Sequence, residues 1–502
     1  METTAKRSLR ILLVSPEVVP FAKTGGLGDV AGALPKKLRI MGHDIRILLP
    51  KYRSIRDRKH SLREVKRLSE IAIETGWGHD HFALRSAALL PERVQVYLME
   101  HRAMFDRDGL YVNPATGKDW EDNAERFILL AKGTFEALQK LHWTPDIILC
   151  NDWQTALIPY LMKRQYAKQP FFSGVKTVLA IHNLSFQGIF PLEKAKLLFA
   201  DAKDCATGGA LEFWGKVNFL KAGIVCADKI ITVSPNYAKE IQTAAAGCGL
   251  EGVLKQRKRD LVGILNGIDT DLWDPRKDAE IPAHFSETNL NGKVRCKQML
   301  QVDLNLQDDL AAPMFGMIGR LTEQKGIDLS IQVIPELVAH GAQVVVLGVG
   351  DVRFAEALSE LAKKYPGRLS VTLAFDDPLA HRIEAAADFF LMPSRYEPCG
   401  LNQMYSLRYG TIPIVTRVGG LADTVDDFNE KNGKGNGIVL SEASVAALQK
   451  ACKRALTIYH NCRTLMAMRI NAMRADHSWE LSAHKYEKVF FDLVRQYPRR
   501  RQ

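Results

Sequence analysis

Two successive series of short apolar runs, separated by stretches with helical periodicity, constrain the fold of this chain more than any other feature. In the first series the runs cover residues 9–15, 45–49, 94–99, 147–150, 177–181 and 229–233. In the second they cover residues 314–318, 344–347, 369–373, 389–392 and 412–415. Short strands joined by helices are typical of parallel sheets, because parallel neighbours need a crossover connection. The pattern therefore predicts an α/β protein.

Each series opens with a strand, a glycine-bearing loop and a helix, as a Rossmann-like unit does. A chain of 502 residues is also too long for one core, since single cores stop growing at roughly 250–300 residues. We therefore expect two Rossmann-like domains that face each other across a deep cleft. The first would span residues 1–265 and the second residues 266–480, with a loop or linker at 274–291.

The sequence argues against a membrane-spanning protein, a secreted protein and a cysteine-based zinc or redox site. The apolar runs, such as residues 11–14 and 344–347, are about four to six residues long, far shorter than the ~20 residues that cross a bilayer. The opening METTAKRSLR lacks the apolar stretch of a signal peptide, so a cytoplasmic location with no membrane partner is expected. The eight cysteines form no CxxC pair that would indicate zinc or redox chemistry.

The net charge of +11 does not by itself predict a nucleic-acid partner, because basic and acidic residues are interleaved along the chain. One dense basic cluster, Arg499, Arg500 and Arg501, is interpreted as a solvated tail. The remaining excess of positive charge would also suit a cleft that binds a small anionic substrate. We therefore expect no nucleic-acid partner.

Three segments carry residues suited to phosphate and sugar chemistry. In KTGGLGDVAGALP, residues 23–35, glycines before a helix let backbone N–H groups approach an anion. In MIGRLTEQKG, Arg320 and Lys325 lie between a strand end and a helix, the edge of an α/β sheet where ligands bind. In SRYEPCGLNQMYSLRYGTIPIV, Glu397 lies at a strand-to-helix turn, where its carboxylate can accept hydroxyl hydrogen bonds. Each pattern alone also fits an ordinary turn or a solvated charge.

Eight motifs follow one another along nearly the whole chain: KTGGLGD, CNDWQTAL, IHNLSFQG, NFLKAGI, LNGID, GRLTEQKG, SRYEPCGLNQMYSLRYGT and GGLADTV. Together they resemble the bacterial and plant glycogen (starch) synthase family. The resemblance implies a GT-B glycosyltransferase that moves glucose from ADP-glucose, or in some members UDP-glucose, to the non-reducing end of an α-1,4-glucan. It implies a retaining hexosyltransferase that releases ADP and needs no metal or other cofactor. The expected partners are glycogen or another α-1,4-glucan and the nucleotide-sugar donor.

The resemblance also assigns the donor-binding residues. Arg320 and Lys325 would grip the diphosphate, and Lys23 would contact the donor together with the amides of Gly25 and Gly26. Glu397 would hold the glucose hydroxyls. The remaining donor-side positions are Asn266, Phe375, Cys399, Gly400 and Leu401. Of these, Cys399 would line the pocket without acting as a nucleophile.

The same resemblance places Asp152 and His182 beside the reacting sugar, which completes a catalytic set with Arg320, Lys325 and Glu397. A retaining double displacement needs a carboxylate nucleophile, and Asp152 is a conceivable one. We favour front-face attack, in which the leaving phosphate helps to deprotonate the acceptor hydroxyl; the sequence leaves both routes open. Positions expected near the acceptor are Asp29, Tyr111 and Trp153.

Three positions depart from patterns common among relatives. Gln154 stands where many have histidine, Tyr405 where many related glycosyltransferases have a second glutamate, and Phe375 where a base-stacking tyrosine is frequent. Asp269-Thr270-Asp271 spells the aspartate pair by which another class of glycosyltransferase holds Mn²⁺ or Mg²⁺. Here it follows LNGI at the interdomain crossing, and we interpret it as a structural turn.

The C-terminal segment HSWELSAHKYEKVFFDLVRQY resembles the closing helix of the family, and we expect a helix at about 481–502 to join the first domain. Other functions compatible with the motifs are a different two-domain transferase, such as a UDP-glucose-dependent or sucrose synthase-like enzyme or a pyridoxal-phosphate phosphorylase, and a catalytically dead glucan-binding scaffold. The intact set Lys23, Arg320, Lys325 and Glu397 argues against the scaffold.

Overall fold

The computed structural model describes residues 8–496, which form two compact units. The first unit contains the described residues up to Val233, Ala238–Ile264 and the chain from Trp479 onward. The second contains Ser234–Tyr237 and Leu265–Ser478. The basic cluster at 499–501 and the end of the predicted closing helix lie outside the described residues.

The first unit is built on a sheet that is parallel over most of its width. Strands up to residue 264 are β1 (Arg10–Val14), β2 (Asp44–Pro50), β3 (Arg63–Glu64), β4 (Ile71–Thr75), β5 (Gly78–Leu89), β6 (Val94–Glu100), β7 (Val112–Asn113), β8 (Lys118–Asp119), β9 (Ile147–Asn151), β10 (Lys176–Ile181), β11 (Ile189–Pro191), β12 (Glu212–Phe213), β13 (Lys216–Asn218), β14 (Lys229–Thr232) and β15 (Leu261–Gly263). The order across the sheet is β15-β14-β10-β9-β1-β2-β6-β5-β3, with β4 beside β5. Pairing is parallel from β15 to β6 and antiparallel beyond it.

Several of the helices in this part of the chain contact the strands of the sheet. Those up to residue 264 are α1 (Gly26–Ile40), α2 (Arg102–Phe105), α3 (Asn123–Lys140), α4 (Leu157–Leu161), α5 (Ala202–Cys205), α6 (Phe219–Cys226), α7 (Pro235–Glu240) and α8 (Glu251–Gln256). Helix α1 buries one face that includes Leu27, Val30, Leu34 and Leu38, as its helical spacing of apolar residues predicts.

The second unit has a six-stranded sheet that is parallel throughout. Its elements are α9 (Asn291–Asp303), β16 (Met314–Ile318), α10 (Ile327–Ala339), β17 (Gln343–Leu347), α11 (Val352–Lys364), β18 (Leu369–Thr372), α12 (Asp377–Ala386), β19 (Phe389–Met392), α13 (Asn402–Arg408), β20 (Ile412–Thr416), α14 (Gly419–Thr424), β21 (Ile438–Leu440), α15 (Val445–Tyr459) and α16 (Cys462–Arg474). The order is β18-β17-β16-β19-β20-β21. The chain then ends its described part in α17 (Trp479–Gln496).

The prediction of two α/β units is confirmed, and every predicted strand forms within one residue of its expected ends. This accuracy has a simple cause: strands such as β9 and β17 are buried along their whole length and therefore read as continuous apolar runs. The antiparallel pair β4 and β5 was not predicted. Its strands alternate buried and exposed residues, and β5 includes charged and histidine side chains.

A buried ionic cluster holds the amino ends of two central strands in the second unit. Asp388, the residue before β19, accepts hydrogen bonds from the Lys297 ammonium at 2.8 Å and from the backbone N–H of Met314 at 2.9 Å. The Arg469 guanidinium donates to its other oxygen at 2.5 Å. Although burial alone would raise it, the pKa of the Asp388 carboxyl is lowered by these two cations.

Among residues 8–496, no helix is both long enough and apolar enough to cross a membrane.

Helix α17 packs against α1, and a buried histidine joins it to the first unit. His43 Nδ1 accepts from the backbone N–H of Leu9 at 3.1 Å, so Nε2 carries the proton and donates to the Glu487 carboxylate at 3.1 Å. Replacing Glu487 by alanine removes the carboxylate that accepts this buried N–H.

We expect Glu487→Ala to lower the free energy of unfolding by about 1–3 kcal/mol, because the buried Nε2–H of His43 loses its hydrogen bond to a carboxylate. Glu487→Gln keeps an acceptor oxygen and should change stability much less. Urea titration followed by circular dichroism measures both, with Glu480→Ala, at an exposed position of the same helix, as the control. Equal effects of the alanine and glutamine variants at 487 would contradict the assignment.

Candidate active site

Candidate residues of the first unit lie where three neighbouring parallel strands end. Strand β1 lies between β2 and β9, and β10 lies next to β9. The chain leaves β1 toward Glu17 and Lys23, leaves β9 at Asp152, and leaves β10 at His182. Because carboxyl ends of parallel strands meet at one edge of a sheet, these loops form one surface.

Glu17, which the sequence analysis did not single out, is a hydrogen-bonding centre of this surface. Its buried carboxylate accepts from the backbone N–H and the hydroxyl of Thr24, and from the backbone N–H of Gly25 at 3.2 Å. It also accepts from the Tyr111 hydroxyl at 2.7 Å. Burial, followed by the charge of Glu17, raises the pKa of Tyr111 well above its usual value. Glu17 therefore links the glycine loop to Tyr111.

The predicted glycine loop forms the start of α1. Gly25 precedes the helix in an extended conformation, and Gly26 is its first residue. The Lys23 ammonium lies 2.9 Å from the carboxylate of Asp29 in the first helical turn. The amide of Gly25 already donates to Glu17. The structure thus brings Lys23, Gly25, Gly26 and Asp29 together, with the Lys23 charge balanced by Asp29.

Asp152 holds the segment that carries His182. Its carboxylate accepts from the backbone N–H of His182 at 2.7 Å and also from that of Asn183. Its backbone has a φ of 56°, a left-handed conformation that is uncommon for a residue with a side chain. Burial raises the pKa of the Asp152 carboxyl from 3.8 to about 7, despite the two amide donors.

His182 is buried and uncharged. Its Nε2 atom lies 2.9 Å from Asn151 Oδ1, while the Asn151 amide nitrogen donates to the carbonyl of Val14 at 2.9 Å. The Asn151 oxygen therefore faces the ring, and His182 Nε2 carries the proton. Burial lowers the pKa of His182 from 6.5 to about 4, so that the ring is neutral at pH 7.

Trp153 and Gln154 are both buried, and the place of Trp153 near the acceptor stays a prediction. The Trp153 ring packs edge-on against Phe127 at 4.9 Å and tilted against Phe190 at 5.7 Å. A side chain at Gly188 would come within 2.3 Å of the Trp153 ring, so that glycine lets the indole fit. Gln154 Oε1 is buried and accepts no hydrogen bond from the described residues.

Two loops of the second unit are joined by direct hydrogen bonds at the carboxyl ends of β16 and β19. The Arg395 guanidinium forms two bonds of 2.7 Å with the carboxylate of Asp328, in the first turn of α10. The backbone N–H of Arg395 donates to the Gln324 carbonyl at 2.8 Å, and the Gln324 side chain donates to the Tyr396 carbonyl at 3.2 Å. These contacts fix the segment around Lys325 against the segment around Glu397.

Lys325 and Glu397 form a close ion pair, which the sequence analysis did not foresee. Glu397 is buried, with 6% of its surface exposed, and also accepts from the Ser394 hydroxyl at 3.2 Å. Arg320, by contrast, is exposed and donates to Gln324 Oε1 at 3.3 Å. Arg320, Lys325 and Ser394 line a common depression at this edge. Arg320 is therefore exposed to solvent, whereas the Glu397 carboxylate is buried and its charge is balanced by Lys325.

The residues after Glu397 pack against Asn266 and against α14. The backbone N–H of Asn266 donates to the Cys399 sulfur, and Asn266 Oδ1 is buried without a hydrogen-bond partner among the described residues. Gly419 has a φ of 42°, and a Cβ there would come within 1.9 Å of the Glu397 carbonyl. Burial raises the pKa of Cys399 to about 12, which makes this thiol a poor nucleophile at neutral pH. Gly400, with a φ of 74°, and Leu401 lead into α13.

Phe375, unlike Glu397 and Cys399, is exposed to solvent. It lies between β18 and α12 and exposes 72% of its surface, so its ring is open to a planar ligand. Tyr405 instead stacks on Trp273 at 3.9 Å, and His381 stacks on the other side of that indole at 3.6 Å.

The sequence 269–271 forms the turn that we predicted. Asp269 accepts from the backbone N–H groups of Asp271 and Leu272, and the Asp271 carboxylate pairs with Lys277 at 2.7 Å. Within the part of the chain that the structure describes, no group of three or more His, Cys, Asp or Glu side chains is placed to hold a metal ion.

Comparisons with known proteins agree with this architecture. A family model described as "Starch synthase catalytic domain" matches residues 10–256, and one described as "Glycosyl transferases group 1" matches residues 306–473. A glycogen synthase of Anaeromyxobacter sp. (strain Fw109-5) is 44% identical over 97% of this chain and 100% of its own length. Glycogen synthase 2 of Geobacter metallireducens is 43% identical over 96% of this chain and 98% of its own.

Solved structures show the same likeness. The catalytic domain of starch synthase IV from Arabidopsis thaliana, bound to ADP and acarbose, is 30% identical, with a TM-score of 0.89 over 97% of this chain and 100% of that chain. A sucrose-phosphate synthase from Thermosynechococcus elongatus has a TM-score of 0.61 over 97% of this chain and 99% of that chain. At 18% identity, this second likeness concerns the fold alone.

We expect Asp152→Asn to become more stable relative to the wild type as the pH rises from about 4 to 7. Between these pH values Asp152 is ionised in the unfolded chain, where its pKa is the ordinary 3.8. In the folded chain its pKa is about 7, so it keeps its proton. The free energy of unfolding of the wild type therefore falls by up to about 1.4 kcal/mol per pH unit in this window. The asparagine variant has no proton to lose at this position, so its free energy of unfolding lacks this contribution.

Differential scanning calorimetry of both proteins at pH 5, 6, 7 and 8 measures the effect. The difference in Tm should grow to pH 7 and then level off. A difference that does not change with pH would show that Asp152 is not a buried, proton-binding carboxyl.

Proposed function

The chain belongs to the glycogen and starch synthase family of glycosyltransferases, and from that premise we propose that its donor is ADP-glucose. Its relatives named glycogen synthase match nearly the whole chain, so it is an enzyme that elongates a glucan. We propose that it transfers glucose to the non-reducing end of an α-1,4-glucan with retention of configuration and releases ADP. The observation that carries the proposal is the likeness to a starch synthase catalytic domain bound to ADP and acarbose.

Arg320 and Lys325 would bind the diphosphate of the donor. Negative charge develops on the diphosphate as the glycosidic bond breaks, and cations fixed in place stabilise that state more than the ground state. Arg320 suits this role because it is exposed at the strand edge and can offer two parallel N–H donors to phosphate. Lys325, already paired with Glu397, would share its charge between that carboxylate and the diphosphate. Two cations of this kind would serve without a metal ion.

Glu397 would orient the glucose of the donor. A carboxylate that is buried and held by Lys325 and Ser394 has little freedom to move, so its oxygens are preorganised acceptors for sugar hydroxyls. The Asn266 side chain, with a buried oxygen that has no partner among the described residues, would contact an outer hydroxyl. Gly25, Gly26 and Lys23 would contact the donor from the first unit.

We propose that Asp152 positions His182 and is not the nucleophile of a double displacement. Its carboxylate binds two backbone amides and retains a proton near pH 7, and both properties weaken a nucleophile. His182 is neutral and would bind a sugar hydroxyl as a hydrogen-bonding group, not as a cation. These features support front-face attack, with the leaving phosphate accepting the proton of the acceptor hydroxyl.

Donor choice is tested by comparing initial rates of glucose incorporation into glycogen from ADP-glucose and from UDP-glucose. We expect kcat/KM to be at least about tenfold higher for ADP-glucose, since a few base contacts suffice for discrimination of that size. Free ADP should appear in equal amount to the glucose transferred. A higher kcat/KM for UDP-glucose would overturn the donor assignment.

Arg320→Ala should lower kcat by on the order of 10²–10³ at saturating ADP-glucose, the usual loss when one preorganised donor is removed. Because Arg320 is exposed, the fold should be unaffected, as circular dichroism would verify. Arg353→Ala is the matched control, since Arg353 is an exposed arginine of the same unit that pairs with Asp351. Wild-type turnover by the Arg320 variant would refute its role at the diphosphate.

A further inference from the structure

We propose that Trp214 is a binding platform for a glucan chain, separate from the residues assigned above to donor and acceptor. The inference rests on the proposed function in one respect, because it takes the acceptor glucan as the ligand. Trp214 lies between β12 and β13 in the first unit. Its conformation, exposure and connections each support this role.

The backbone at Trp214 is one that a large side chain rarely adopts. Phe213 and Lys216 are paired across the hairpin, so Trp214 and Gly215 form its two-residue turn. Their φ angles are 48° and 77°, and positive values at both positions define a turn in which Asn-Gly is favoured. Tryptophan in place of asparagine disfavours this turn. Strained residues are concentrated at functional sites, so we infer that the indole has a function that offsets the cost of this backbone conformation.

The ring is open to solvent yet held in place. Trp214 exposes 77% of its surface, a larger fraction than the other exposed large hydrophobic residues within 8–496. One edge of the indole rests on Gly249, where a Cβ would come within 2.6 Å of it. The Phe213 ring lies 4.4 Å away at an angle of 42°. These contacts restrict the orientation of the indole and leave most of its surface open to a ligand.

The hairpin is connected to the segment that follows His182. Strand β13 pairs with β11, which begins directly after Gly188. The side chain of Gln187 donates to the carbonyl of Cys248 at 3.0 Å, next to Gly249, and accepts from Asn218 at 2.6 Å. These bonds tie both supports of the indole, the hairpin and the chain at Gly249, to the loop on which we place the reacting sugar.

A glucan suits this surface better than a protein partner does. Each glucose ring presents C–H groups on its faces and hydroxyls around its rim, which matches an exposed indole with an apolar face and one N–H donor. The neighbouring Gly215 and Lys216 are exposed and not apolar, whereas the cores of protein interfaces are depleted in charged residues. A planar side chain also loses little conformational entropy when it binds.

Affinity electrophoresis in native gels that contain glycogen, with no donor present, tests the proposal. Trp214→Asn removes the ring and supplies the residue that the turn prefers, and we expect it to weaken glycogen binding by about tenfold, as the loss of one well-placed aromatic contact does. Trp214→Tyr should restore most of the binding. In assays with ADP-glucose, the KM for glycogen should rise in the asparagine variant, while kcat with maltotriose stays unchanged.

Phe199→Asn is the matched control. Phe199 is also an exposed aromatic with a positive φ, 51°, but the Lys132 ammonium lies 4.7 Å from its ring centre. Binding of glycogen by Trp214→Asn at wild-type strength, or an equal loss in Phe199→Asn, would overturn the proposal. Failure of the wild type to use ADP-glucose would instead count against the proposed donor, because the gel assay needs no donor.

Discussion

The loops of the candidate site depend on two buried carboxylates, Glu17 in the first unit and Glu397 in the second. Each accepts hydrogen bonds from residues of the surrounding loops and thereby helps to hold those loops in place. Glu17 binds the glycine loop and Tyr111, whereas Glu397 binds Lys325 and Ser394. A buried carboxylate without donors is costly, so each acid requires its loops in one arrangement. The geometry of the loops around each acid follows from that requirement.

The two units supply different electrostatic conditions. In the second unit, Arg320 and Lys325 provide positive charge at the ends of β16 and in the loop before α10. In the first unit, burial removes charge: it lowers the pKa of His182 to about 4 and raises that of Asp152 to about 7. Cations suit a leaving diphosphate, and uncharged hydrogen-bonding groups suit the hydroxyls of a sugar. Under the proposed function, the cations of the second unit would bind the diphosphate, and the neutral groups of the first unit would bind sugar hydroxyls.

The parts that sequence reasoning predicted well are those set by local patterns. Buried strands read as apolar runs, and Arg320 and Lys325 follow a strand directly, so their placement at a sheet edge was predictable. Glu17 was missed because no sequence pattern predicts that its carboxylate binds Thr24 and Gly25 nearby and Tyr111, which lies 94 residues away. Nor does the sequence show that Lys325 and Glu397 neutralise each other, since 72 residues separate them. Trp153 was assigned by resemblance, and only its packing shows how deeply it lies.

Strands that are held firmly at one end allow the loops at the other end to contain features that lower stability. Asp388 joins the amino ends of β16 and β19 through Lys297, Arg469 and the Met314 amide, far along the strands from the loops that bear Arg320 and Glu397. With that edge fixed, the opposite edge can carry an exposed cation and a buried ion pair without losing its geometry. The first unit uses parallel strands in the same way, and there the left-handed backbone of Asp152 and its raised pKa both oppose stability. Such costs persist where function selects for them, because a substitution that relieved the strain would also release the His182 segment.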